Sequence, residues 1–205
     1  MAARLMSPDI FKLEHWQEPG REHRSKYMPA LALDCLQNQE KDRQSHYLAR
    51  ELLWTGRPKS AIKEFLRHIE MRRWPAERAQ SMIFIGDAWG HLGDQEKQVE
   101  WYSRAFFTDP TRREALIKEA YVHKARGNHA ATAALASAAM EIPWTGYYAN
   151  DRAMYADVPF SLRYWARGWS GNIAGAQQDI LQCLTMNPFH PEYNRDVAFY
   201  FDYNI

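Results

Sequence analysis

The sequence predicts an all-α fold, a right-handed solenoid of helical hairpins with about four units and a capping helix at either end. Three observations carry this. Apolar residues recur at helical spacing, broken by Gly or Pro at regular intervals, and no alternating run is long enough to argue a strand. The candidate helices fall into pairs. One phrase recurs four times, as "WTGRPKSAIKEFLRHIE" (54 to 70), "LGDQEKQVEWYSRAFFTDP" (92 to 110), "ARGNHAATAALASAAMEIP" (125 to 143) and "WSGNIAGAQQDILQCLTMNP" (169 to 188).

Taken in order, residues 1–23 read as an irregular N-terminal extension and residues 24–205 as one repeat domain. "RSKYMPALALDCLQ" (24 to 37) places Tyr27, Leu31 and Cys35 at helical spacing and suits a capping helix. Helices at 42–55 and 58–70 form the first unit around Gly56, those at 76–91 and 95–108 the second around Gly93, those at 112–125 and 129–141 the third around Gly127. An insertion at about 143–157 follows, aromatic-rich and therefore expected to pack down. Helices at 158–169 and 173–186 form the fourth unit around Gly171, and "PEYNRDVAFYFDY" (191 to 203) supplies the second cap, with its helix over 191–201. Caps are needed because each unit buries its apolar side against a neighbour.

The turn glycines are separated by 37, 34 and 44 residues. A period near 34 residues with two helices per unit is the signature of tetratricopeptide repeats (TPRs). Each glycine ends a first helix where the chain must turn sharply and a side chain would be penalised. Small residues are wanted where paired helices touch, and Ala49, Gly86 and Ala120 each precede their glycine by seven positions. The fourth unit departs from this with Tyr164, and the third carries His123 and Thr132 at positions that are usually apolar. Leu48, Leu52, Ile85 and Trp89 on first helices, and Ala61, Phe65, Tyr102, Ala105, Ala176 and Cys183 on second helices, are the expected interlock.

A more particular resemblance lies in the runs "HRSKYMPALAL", "DRQSHYLARELLWTGRPKSAIKEFLRHIE", "WPAERAQSMIFIGDAWGHLGD", "DPTRREALIKEAYV" and "YYANDRAMYADVPFSL". Over about residues 23 to 200 the chain resembles the TPR region that follows the catalytic domain in bacterial and viral family 2 glycosyltransferases. In that family the sugar nucleotide and metal are held by an α/β domain with an Asp-x-Asp motif, and no such motif or Gly-rich phosphate loop occurs here. The resemblance therefore implies the accessory part of such an enzyme without its catalytic part.

Bulk properties narrow the function. With 26 Lys+Arg against 25 Asp+Glu, no net charge announces nucleic acid or an anionic membrane. Cys35 and Cys183 stand far apart in apolar contexts without ligand spacing, and read as reduced core thiols of a cytoplasmic protein. The first residues lack the apolar run of a secretion signal, and "AATAALASAAMEI" is far below the ~20 residues of a membrane span.

No catalytic residue, metal ligand set or cofactor is expected. His15 and His23 with Glu14 and Glu22 fit no ligand pattern. His46, His68, His91 and His123 lie on different helices, and the scattered glutamates read as solvated faces. "RHIEMRRW" (67 to 74) clusters Arg67, His68, Arg72 and Arg73 beside Trp74, but Glu70 and the balanced net charge weigh against nucleic acid.

The expected function is instead a non-catalytic scaffold that binds a protein or peptide through a groove lined by the first helices. By spacing, that groove carries Arg43, His46, Arg50 and Trp54, then Ile83, Asp87 and His91, then Ile117, Tyr121 and Lys124, then Ser161, Trp165 and Trp169. This is a basic and aromatic set, the kind of residues that binding hot spots use. Two readings of Trp54, Trp165 and Trp169 stand side by side, gap filling between helices and ligand contact. Chaperone-docking TPRs hold a terminal carboxylate with Lys and Asn, and His46 and Arg50 at the corresponding places do not reproduce that clamp.

Overall fold

The fold was read from a computed structural model, which describes residues 28–38, 42–71 and 74–201. The proposed extension at 1–23, the start of the first helix, and Arg72 and Arg73 lie outside the described residues. Ten α-helices follow one another: α1 (Met28–Gln37), α2 (Asp42–Trp54), α3 (Pro58–Met71), α4 (Pro75–His91), α5 (Gln95–Thr108), α6 (Arg113–Ala125), α7 (His129–Met140), α8 (Val158–Trp169), α9 (Ile173–Met186) and α10 (Pro191–Phe201). Among the described residues one 3-10 turn, Arg152–Tyr155, lies in the insertion, and no strand occurs. Helix pairs α2/α3, α4/α5, α6/α7 and α8/α9 are the four units.

The four turns are built alike. Gly56, Gly93, Gly127 and Gly171 have φ of 78°, 79°, 69° and 78°, the left-handed region. Each glycine N–H donates to a carbonyl three residues back, and the next N–H to one five residues back, as from Asp94 to Trp89 (3.0 Å) and from Asn172 to Arg167 (2.9 Å). This closes the first helix by satisfying its last carbonyls. The following side chain then opens the second helix: Asp94, Asn128 and Asn172 accept from the backbone N–H of Lys97, Ala131 and Gly175. In the first unit Arg57 is followed by Pro58, whose fixed φ starts α3 without a side-chain cap.

Gly86 is required for another reason. A Cβ there would overlap the Tyr102 ring, which lies flat against α4 and sends its hydroxyl to Asp87 Oδ1 (2.6 Å). At the four turn glycines a Cβ would meet nothing within 4 Å, so conformation alone selects them.

The core is segmented along the stack, as a solenoid requires. Ala49, Ala61 and Phe65 pack on Ile85 and Ala88; Ala79, Met82 and Ile83 on Tyr102, Ala105 and Ala115; Ile117, Ala120 and Ala136 on Leu162; and Tyr164, Ala176, Ile180 and Cys183 on Tyr193 of the cap. Of the expected first-helix apolar positions Ile85 is core, while Leu48, Leu52 and Trp89 are half-buried and Leu53 fills the place inside. Thr132 is buried, its hydroxyl donating to the Asn128 carbonyl (2.8 Å) within its own helix.

Tyr164 departs from the small-residue pattern because its neighbour is the cap. Its ring stands edge-on to Tyr193 and Tyr200, its hydroxyl donates to Asp196 (3.0 Å), and the close approach moves to Gly168, where a Cβ would overlap Tyr200. Both cysteines are free and buried, and burial pushes the Cys183 thiol up to about 12. No described helix is long and apolar enough to cross a membrane.

Candidate functional site

Successive first helices are joined side by side. His46 Nδ1 on α2 meets Ser81 Oγ on α4 (3.0 Å), Lys118 on α6 donates to Asp87 on α4 (2.8 Å), Lys124 on α6 lies over the Trp165 ring of α8 (4.9 Å), and Tyr164 on α8 reaches Asp196 on α10. These bridges define the inner side, and they use some of the residues assigned to the groove.

His46 is turned inward. Its ring sits among Phe65, His68 and Phe84, and Ser81 Oγ lies between its Nδ1 and that of His68 (2.9 Å). A hydroxyl donates only once, so at most one of the two rings accepts from Ser81 and at least one donates to it. Burial, and then the charges of His68 and Arg50, hold His46 down to about 3. Asp87 is likewise committed, to Tyr102 and Lys118. Ile83 and Ile117 face the core, at 1% and 0% exposure, because the 3.6-residue period puts them on the packing stripe and not beside it.

The remaining residues stay toward water. Arg43 and His91 are exposed. Arg50 lies over the rings of Tyr47 (5.1 Å) and Trp54 (4.6 Å) on its own helix, so Trp54 is a stacking partner there. Lys124, the half-buried Trp165 and Trp169 (68% exposed) do come together, joined by His129, while Tyr121 on α6 is 43% exposed. The His129 ring is parallel to Trp169 (5.9 Å, 7°) and tilted against Trp165 (4.9 Å). The charges acting on Tyr121 are those of Asp157, Asp151 and Glu192, and those acting on Lys124 are Glu192 and Asp196. Carboxylates of the insertion and of α10 thus stand near the lysine and aromatics that the first helices place on this half.

The largest feature not assigned from the sequence is the fastening of the insertion. Arg112 is 0% exposed, its guanidinium donating to Glu114 (3.1 Å) and Gln80 (2.6 Å) beneath the Tyr147 ring (4.8 Å). Arg113 donates to the carbonyls of Met140 (3.0 Å), Ile142 and Met154 (3.4 Å), capping the end of α7. Glu114 accepts from the Asp151 backbone (2.9 Å) and from Tyr155 Oη (3.4 Å). From this clamp the insertion runs back along the edge, so that Tyr148 Oη donates to Glu77 (3.2 Å) and Tyr147 stands against Trp74. It closes over a cavity of about 230 Å³ lined by Arg43, His46, Tyr47, His68, Glu77 and Tyr148. A signal was present: two arginines at the start of a helix oppose its dipole, so a tertiary partner had to hold them.

Among the described residues no group of three His, Cys, Asp or Glu side chains could hold a metal ion. Arg67 of the basic run is paired with Glu64. No protein-family model and no curated protein matches the chain. Its likeness is to solved structures: the crystal structure of MamA protein (14% identity, 90% of this chain and 88% of that one, TM-score 0.62), and the C-terminal part of a TPR repeat-containing protein from Cytophaga hutchinsonii (11%, 87% and 65%, 0.70). A third is the Cut9 and Hcn1 hetero-tetramer of the APC/C (10%, 88% and 33%, 0.64). The fold is that of a TPR solenoid.

Proposed function

We propose that this chain is a non-catalytic interaction scaffold that takes a segment of a partner protein along the side joined by its first helices. The observation that carries the reading is the exposure of the Tyr121 and Trp169 rings, 43% and 68%, on a side where neighbouring positions are packed or paired, with His129 and the half-buried Trp165 packed against Trp169. Rigid rings bury much area at little entropic cost, which is why binding hot spots use them. Arg43, Arg50, Trp54, His91 and Lys124 extend the surface, while His46 and Asp87 support it from within. No cofactor, nucleic acid or membrane enters this reading, and a cytoplasmic setting suits its two free buried thiols. The test is a photo-crosslinking amino acid at 121 or 169 in the native cell, with position 107 on α5 as the exposed control. Partner adducts confined to 121 and 169 support the scaffold; adducts equal at all three, or none, refute it.

A second reading is an accessory role beside a family 2 glycosyltransferase. It rests on the resemblance, two of whose runs are in contact here, Arg113 and Glu114 of "DPTRREALIKEAYV" holding Asp151, Met154 and Tyr155 of "YYANDRAMYADVPFSL". Co-purification with a catalytic domain encoded beside or ahead of this chain tests it, and absence of such a domain from its genomic surroundings ends it. Turnover of sugar nucleotides with Mn²⁺ by the chain alone would overturn the non-catalytic reading.

A further inference from the structure

We propose that the tip of the insertion, residues 144–150, is a displaceable occupant of a docking site beside the start of α4. The site takes from a partner what it now takes from Tyr147 and Tyr148, a segment with two adjacent aromatic side chains, the second a phenol. This rests on the scaffold reading and adds to it a second docking place with its chemistry. The tip lies against Trp74, Pro75 and Ala76 at the start of α4 and against Asp109, Thr111 and Arg112 before α6, around a groove of about 620 Å³. Its base is fastened through Arg113 and Glu114, but among the described residues the one hydrogen bond from 144–150 to another part of the chain is Tyr148 Oη to Glu77. The tip otherwise bonds within itself, from the Asn150 N–H to the Tyr147 carbonyl (3.0 Å) and from Asn150 Nδ2 to Thr145 Oγ1 (3.0 Å). Side chains alone therefore hold it in place, and its departure strands no backbone group.

Arg112 fixes the first requirement. Its guanidinium edge is used by Glu114, Gln80 and the Ala76 carbonyl (3.4 Å), which leaves its face, and the Tyr147 ring covers that face at 4.8 Å with the Trp74 ring edge-on (5.4 Å, 90°). A ring meets the cation with its negative face, which an aliphatic side chain cannot do. Glu77 fixes the second requirement. It is buried, its carboxylate only accepts hydrogen bonds, and Tyr148 Oη supplies one (3.2 Å) at the cavity shared with Arg43, His46, Tyr47 and His68. An acidic side chain in that place would meet Glu77 as a like charge. The two tyrosine rings stand 4.5 Å apart, so neighbours in sequence meet both requirements together. Tyr148 is 73% exposed, and displacement starts there.

The experiment empties the site and offers the tip back as a separate molecule. The full chain carrying Tyr147→Ser and Tyr148→Ser is titrated, by fluorescence anisotropy, with a dye-labelled peptide of residues 144–151, "WTGYYAND", blocked at both ends. The peptide is expected to bind the emptied chain, and to bind the natural chain more weakly by about tenfold or more, because there the tethered tip competes at high effective concentration. Phe in place of the second tyrosine of the peptide should weaken binding about tenfold, the factor for one hydrogen bond to a carboxylate, and Ser in place of both should abolish it. A chain with residues 144–149 replaced by Gly and Ser should behave as the emptied one. Equal binding to natural and emptied chains, or no binding to the emptied ones, overturns the proposal. So does binding indifferent to the Phe and Ser replacements, and so does loss of cooperative melting in both emptied chains, which would make the tip part of the core. These outcomes leave the scaffold reading standing, whereas absence of crosslinked partners from 121 and 169 removes that reading itself.

Discussion

Acidification should expose the buried His46 as a measurable loss of stability. The ring is held at about 3 in the folded chain, first by burial and then by the charges of His68 and Arg50, against 6.5 for an unperturbed histidine. Its folded pKa is thus depressed, and between pH 6.5 and 3 the unfolded chain binds a proton that the folded chain does not. Stability contributed by the neutral ring is present above the unfolded pKa and is lost as pH falls below it. The slope approaches ~1.4 kcal/mol per pH unit, giving about 2 kcal/mol between pH 7 and pH 5. Any folded pKa below 4 gives nearly the same figure, because the folded ring is then neutral at pH 5. The assay is urea unfolding at both pH values for the natural chain and for His46→Gln, whose amide can still bond Ser81 and cannot titrate. Carboxylates and the histidines away from this site are common to both chains, so the difference reports His46 together with its partner His68. The natural chain should lose about 2 kcal/mol more than the variant, or about 4–8 °C in melting midpoint for a chain of this size. Equal losses would show that His46 is not desolvated as the contacts with Phe65 and Phe84 require.

Three further outcomes are expected. Gly93→Ala and Gly86→Ala should each destabilise, by about 1–2 kcal/mol for the left-handed turn and about 1–3 kcal/mol for the overlap with Tyr102; Gly93→Asn should recover stability in thermal melts, Gly86→Asn should not. Arg113→Met should cost about 3 kcal/mol, since it leaves the buried carbonyls of Met140 and Ile142 without their donor, and limited proteolysis should then cut within 143–157. Asn172→Ala should cost about 1 kcal/mol by removing the cap on the Gly175 N–H, whereas Arg57→Ala at the matching place should be near neutral because Pro58 starts that helix, both read by urea midpoints.

Much of the fold could be read from the chain because its determinants are local. The first helix of each pair ends where a glycine takes φ between 69° and 79°, and in the last three units the next begins on an Asp or Asn one residue later. Gly86 and Ala49 could be recognised by their distance from those glycines, since the helical period fixes which face a residue seven positions earlier occupies. The same local logic failed for Ile83 and Ile117, where an error of one position around the helix exchanges groove for core.

What the sequence by itself determined was the all-helical hairpin repeat, its turn positions and the close-packing sites. Those depend on backbone preferences and on periods of a few residues. Only the tertiary structure decided that His46 and Asp87 are internally bonded and that Arg112, Arg113 and Glu114 clamp the insertion. The reason is separation along the chain: Tyr148 meets Glu77 across 71 positions and Tyr164 meets Asp196 across 32, contacts that no local pattern connects.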